Sequence, residues 1–181
     1  MNKLVFVLAF VMGLVVLLSN ILVAYPVDMM VGTLDLANWL TYGAFSYPLA
    51  FLVTDSANRL LGVKAAGVIM VPGFIIGIAL SFWFADSRIA FASGTAFLSA
   101  QLLDIYIFNR LRQQSWWRAP LISTLIASIL DTFLFFFLAF NGTDVPWMGL
   151  AFGDLMVKFL MAFVALPLFY AMTQRTTLRP V

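Results

Sequence analysis

The chain has 181 residues, of which 64% are hydrophobic and 10% charged, with a mean hydropathy of +1.03; ordinary soluble domains carry about 25% charged residues. That composition excludes a soluble globular domain, and the length suits a single membrane domain, 1–181, of about five to seven spans at roughly 20 apolar residues each. Cysteine and histidine are absent and all eight acidic residues are aspartates, which removes disulfides, thiolate nucleophiles, imidazole metal ligands and histidine triads.

The first apolar run, 4–24, is longer than the roughly 7 to 15 residues of a signal-peptide core, and no small-x-small cleavage site follows it, so it reads as a retained helix. Further apolar runs at 40–60, 65–85, 89–109, 119–140 and 147–172 bring the predicted spans to six. Barrel strands would be about ten residues long and alternating, so these runs are helices. The predicted fold class is all-α: a polytopic membrane protein with six transmembrane helices in one bundle and both termini cytoplasmic.

The orientation rests on the basic residues. Lys3, Arg59, Lys64, Arg110, Arg112, Arg118, Arg175 and Arg179 fall on one side, with Arg88 alone on the other, and lysine and arginine favour the cytoplasmic side. The formal charge of +2 and pI near 9.2 therefore reflect topology, and no nucleic-acid partner is inferred. The outer segments instead collect Asp28, Asp35, Asp86 and Asp144, and the tryptophans lie near span ends as interfacial anchors. Pro48, Pro72 and Pro167 fall inside predicted spans, where each marks either a plain kink or a break beside a solute path. AQLLD at 100–104 echoes ASILD at 127–131 on spans of opposite direction, the sense expected of an inverted repeat, although so short a match also arises by chance.

Polar residues inside the spans carry the functional reading, because an ionised group at a helix centre costs about 2.5–3.5 kcal/mol even on the lower scales. Helical spacing places Ser93, Phe97, Gln101, Asp104 and Phe108 on one face of the fourth helix, and Thr124, Ser128, Asp131 and Phe135 on one face of the fifth. The second helix ends in Thr54, Asp55, Asn58 and Arg59, and the sixth holds Asp154 and Lys158 one turn apart. Asp55 with Arg59, Asp154 with Lys158, and Asp131 with Lys158 across helices are the ion pairs that a purely structural role would use. A cavity of carboxylates, an amide and aromatic rings suits a flat, polar, hydrogen-bonding solute.

TYGAFSYPLAFLVTDSANRLLG at 41–62, AQLLDIYIFNRLRQQSWWRAPLISTLIASILDTFLFFFLAF at 100–140 and DLMVKFLMAFVALPLFY at 154–170 resemble the queuosine precursor transporter family, also called VUT. The resemblance covers most of the chain from the second span onward. It implies a multi-pass carrier of the bacterial cell inner membrane that imports 7-cyano- or 7-aminomethyl-7-deazaguanine for tRNA modification. It is taken to act by alternating access without a cofactor, alone or as a homodimer in the lipid bilayer. Carried onto this chain, the resemblance points to Asp55, Gln101, Asp104, Asn109, Asp131 and Lys158. With the polar and aromatic residues that share their helices, substrate binding falls to Gln101, Asp104, Asp131, Phe97 and Ser128, and gating or coupling to Asp55, Asn58, Arg59, Asn109 and Lys158. With no histidine present, any proton coupling would use a carboxylate.

Two other readings stand beside this one. A substrate-binding subunit of an ATP-driven vitamin-type uptake system would also have six short helices, with Ala9 and Gly13 on the first helix offered to a partner. An intramembrane enzyme would have to use Asp104 and Asp131 as an aspartyl pair, and no enzymatic activity is expected.

Overall fold

In the computed structural model, residues 3–22, 25–84, 87–145 and 147–174 are described; Asp86, Arg175 and Arg179 lie outside them. The helices are α1 (Lys3–Leu22), α2 (Gly43–Ser46), α3 (Leu49–Leu61), α4 (Val63–Phe84), α5 (Ser87–Leu111), α6 (Arg118–Phe140) and α7 (Trp147–Thr173). Among the described residues, α4 to α7 are long and apolar enough to cross a membrane, and α1 is a further apolar helix. The exterior is the greasy part. Phe6, Phe10, Phe82, Trp83, Phe91 and Phe163 are exposed while Thr54, Asn58, Gln101, Asp104 and Thr132 are buried, the pattern of a chain solvated by lipid.

The predicted second span is not one helix. The stretch 40–60 holds the four-residue α2, a break at Tyr47 and Pro48, and the 13-residue α3. At about 1.5 Å per residue α3 is roughly 20 Å long, short of the roughly 30 Å hydrocarbon core. Tyr47 and Pro48 both keep αR angles; the interruption is in the hydrogen bonds, since Pro48 has no N–H and the next N–H groups, of Ala50 and Phe51, bond three residues back to Tyr47 and Pro48. Pro72 and Pro167, by contrast, lie within continuous α4 and α7.

The short α3 is nevertheless the centre of the molecule. It packs against α1, α4, α5, α6 and α7, and every residue from Ala50 to Arg59 is buried. Around it α1 packs on α4, α4 on α5, α5 on α6, and α6 on α7. Ala100 and Ala127, which open the two echoing segments, pack together with Phe51 of α3 at the middle of the bundle.

Residues 25–42 fold over one end. Met30–Val31 and Leu34–Asp35 form a two-stranded antiparallel hairpin turned by Gly32, whose φ is +63°. Asp35 accepts a hydrogen bond from the Ala37 N–H at 3.0 Å and starts the 3₁₀ turn Leu36–Asn38. Trp39, still partly exposed, lays its ring against α7, where the glycines at 149 and 153 leave room for it. Arg88 donates to the carbonyls of Leu138 at 2.8 Å and Asn141 at 2.5 Å. Arg88 thus caps the C-terminus of α6, where cations are favoured.

The small residues of α1 are used within the chain. Ala9 packs on the core cluster, and a Cβ on Gly13 would come 2.9 Å from Ile76 of α4. Across the same contact a Cβ on Gly73 would sit 2.8 Å from Met12 Cγ and 3.0 Å from Val16 Cγ2. Gly73→Val should therefore destabilise the α1–α4 contact by about 1–3 kcal/mol, seen as a lower thermal unfolding midpoint of the detergent-purified protein.

Candidate functional site

The buried polar groups form two clusters along the bundle interior. The first is built by α6 and α7. Lys158 Nζ lies 2.7 Å from Asp131 Oδ2 and 2.6 Å from Asp154 Oδ2, and also donates to Thr132 Oγ1 at 3.0 Å. Thr132 in turn donates to Asp154 at 2.8 Å. The Lys158 ammonium stands 5.5 Å from the centre of the Tyr47 ring, whose hydroxyl faces Asp131, and that ring meets Phe97 edge-on at 6.1 Å. One cation between two carboxylates leaves this cluster with a formal charge of −1.

The second cluster is built by α3, α5 and α6. Asp55 accepts from Ser123 at 3.4 Å and Thr124 at 3.2 Å. The Asp55 and Asp104 carboxyl groups lie within hydrogen-bonding reach of one another, with Thr54 also beside Asp104. Asp55 also lines a cavity of about 10 Å³ with Pro48, Leu52, Pro120, Ala162 and Phe169, room for about one water molecule.

Seven residues separate Asp104 from Phe97 and Thr124 from Asp131, so the clusters stand about 10 Å apart along the helices. Gln101 and Ser128 lie between them, one turn from Asp104 and Asp131 respectively. Gln101 is 1% exposed with neither its amide nitrogen nor its oxygen partnered, and Asp104 is fully buried with neither oxygen receiving an N–H or hydroxyl hydrogen bond. The Ser128 hydroxyl is also unpartnered. Such orphans are rare in native interiors and cost about 1–3 kcal/mol each.

Beyond the second cluster the bundle is latched. Arg59 donates to the Arg112 carbonyl at 2.6 Å, and Arg112 returns a bond to the Arg59 carbonyl at 3.0 Å. Asn58 adds a bond from Nδ2 to the Ile105 carbonyl at 3.1 Å. Each guanidinium serves the carbonyls at the other helix's C-terminus, where orphan acceptors accumulate.

Several expectations change on this geometry. The expected Asp55–Arg59 ion pair is not the contact formed: Asp55 turns to hydroxyls on α6 and Arg59 to the α5 backbone. Asp131, proposed for substrate contact, is held by Lys158. The two alternative partners of Lys158 prove simultaneous. Asp104 and Asp131 belong to different clusters and form no aspartyl pair; Asp104 pairs with Asp55 instead. Asn109 is half-buried on α5 and is not among the residues of either cluster. The chamber expected around these groups is collapsed to single-water volumes, far below the roughly 300 Å³ of a small-molecule pocket. Tyr47, Thr132 and Arg112 were missed. The hydroxyl-bearing ring at the Pro48 break was a legible signal for the first, whereas nothing local marked the second or third.

The comparisons agree with the resemblance. A family model described as putative vitamin uptake transporter matches residues 85–172, which takes in α5, α6 and nearly all of α7. The "Queuosine precursor transporter" of Escherichia coli strain K12 is 36% identical over 177 residues, covering 83% of this chain and 77% of the relative. The chain belongs to the queuosine precursor transporter (VUT) family. Its members named "Probable queuosine precursor transporter" include one from Haemophilus influenzae, 33% identical over 77% of this chain and 70% of the relative. Another, from Bacillus subtilis strain 168, is 27% identical over 72% of this chain and 70% of the relative. No solved structure matches. As a VUT-family chain this is a multi-pass membrane protein of a transporter family, not an enzyme.

Removing the cation of the first cluster strands two carboxylates. Lys158→Met should destabilise the protein by about 3–5 kcal/mol, the usual result of breaking a buried pair from one side. Adding Asp131→Asn and Asp154→Asn should recover much of the loss in thermal unfolding in detergent.

Proposed function

We infer that the protein imports queuosine precursors, 7-cyano- or 7-aminomethyl-7-deazaguanine, across the bacterial inner membrane, and that the solute occupies the level of Gln101 and Ser128 between the two clusters. The observation that carries this reading is the set of buried, unpartnered polar atoms on Gln101, Asp104 and Ser128. A deazaguanine presents a ring N–H beside an exocyclic amine, a pair that one carboxylate accepts in parallel. Asp104 is the acceptor in this reading, Gln101 both donates and accepts at the ring carbonyl edge, and Phe97 offers a stacking face. Asp131 acts through Lys158, so that a cationic aminomethyl group competes with the ammonium for it.

The topology that fits is six crossings, with α2 and α3 together making the second and both termini in the cytoplasm. The arginine latch then closes the cytoplasmic side and the 25–42 segment covers the outer side, with the solute level sealed from both. Import by alternating access requires the Arg59–Arg112 contacts to part on one stroke and the Trp39 contact with α7 on the other.

Cells unable to synthesise deazaguanines, given labelled precursor, report import as queuosine in tRNA. Gln101→Ala and Asp104→Asn should each lower that signal by about tenfold or more, the cost of one charge-assisted hydrogen bond, at wild-type protein levels. Unchanged queuosine in both variants would remove the site from this level of the bundle.

A further inference from the structure

We propose that the Asp55–Asp104 carboxyl pair binds one exchangeable proton and that this proton crosses the membrane with the solute. This rests on the import reading.

The geometry asks for the proton. An ionised carboxylate only accepts, so two carboxyl groups within reach of each other form a hydrogen bond only when one carries a hydrogen. Asp55 and Asp104 are so placed, both buried to within 2% of full enclosure. The hydroxyls of Ser123 and Thr124 bond Asp55 from the α6 side; together with Thr54 they also lie beside Asp104, whose oxygens receive no fully formed hydroxyl or N–H bond. The cations at hand do not neutralise the pair. Arg59, one turn along α3, donates to the Arg112 carbonyl, Arg112 donates back, and Lys158 is committed to Asp131 and Asp154 in the other cluster. From α7 the pair's cavity is faced by Ala162, Ala165, Leu166 and Phe169, none of them titratable.

A second observation gives the proton a neighbour and a consequence. The water-sized cavity touches Asp55 near Pro48, with room for one water molecule beside the carboxyl. Gln101, with both amide atoms free, lies one turn from Asp104 on the same face of α5. A solute that donates two N–H groups to Asp104 stabilises it as the ionised acceptor and leaves Asp55 to hold the proton. Solute and proton thus occupy adjoining carboxyls at the same time, which is the requirement for moving together.

The purified full chain in liposomes, with labelled 7-aminomethyl- or 7-cyano-7-deazaguanine, tests this. Wild type should show exchange of label against unlabelled solute without any gradient. An acid-outside gradient should raise accumulation by up to about tenfold per pH unit for one proton per solute. Asp55→Asn, which keeps a permanent N–H donor toward Asp104, should lose the gradient effect, read as the ratio of gradient-driven accumulation to gradient-free exchange in the same liposomes. Should that variant fail to fold, a pH dye trapped in wild-type liposomes reports directly: adding solute outside should acidify the interior. Exchange that proceeds with no gradient effect and no dye signal overturns the proton inference and leaves import intact. Gradient-driven accumulation persisting in Asp55→Asn also overturns it. No exchange in folded wild type overturns the import reading and this inference with it.

Discussion

A polar side chain inside hydrocarbon has no water to fall back on, and each one in this bundle is either satisfied by a neighbour or left waiting for something not made of protein. Lys158 shows the first case: two carboxylates, a hydroxyl and an aromatic face surround one ammonium. Gln101 and Ser128 show the second, placed between that cluster and the Asp55–Asp104 pair without donors or acceptors of their own. The contrast within a single interior, separated by about 10 Å of helix, is what distinguishes structural cement from a place for a guest. Replacing the first kind collapses stability, since a lone buried charge is far costlier than a paired one. In the import reading proposed above, replacing the second kind removes a recognition group.

The break at Tyr47 and Pro48 makes this arrangement available. A continuous helix through 40–60 would cross the membrane as one more wall of the bundle. Interrupted, it leaves a short segment whose residues from Ala50 to Arg59 are all buried, touching each of the long helices in turn. Its polar end meets α5 and α6 at Asp55 and is fastened to α5 by the reciprocal arginine bonds. Those bonds run from guanidinium groups to backbone carbonyls at two helix ends rather than between opposite charges. At the other end the contact is a tryptophan ring on a glycine-lined strip of α7. Both contacts are small, which suits the alternating access proposed above.

Much of this was legible in the sequence because membrane composition is a strong signal. The apolar runs matched to α4, α5, α6 and α7 are long, and carboxylates in such runs announce themselves. The pairing of Asp131 with Lys158 could be read from matching depth. What the sequence did not reveal followed from three-dimensional choices among near-equal options. Asp55 had Arg59 one turn away and hydroxyls on another helix, and the hydroxyls won because Arg59 reaches the carbonyls at the end of α5. Asp104 was grouped with Asp131 by role, while packing of α3 against α5 gave it to Asp55. Trp39 read as an anchor for lipid headgroups, and only the glycines at 149 and 153, more than a hundred residues on, make α7 its seat. The empty space expected around the polar stripe is closed in this conformation, since spacing fixes which face a residue takes but not how far two helices stand apart.

The absence of cysteine makes one measurement unusually direct. Ser128→Cys and, as a control on the lipid-exposed side of the same helix, Ile129→Cys can each be challenged with a small hydrophilic thiol reagent in a transporting protein. Only a thiolate in contact with water reacts. Labelling at position 128 that is suppressed by added deazaguanine, with position 129 inert, is the expected result. Equal silence at both positions while import continues would contradict a solute path through the level of Gln101 and Ser128.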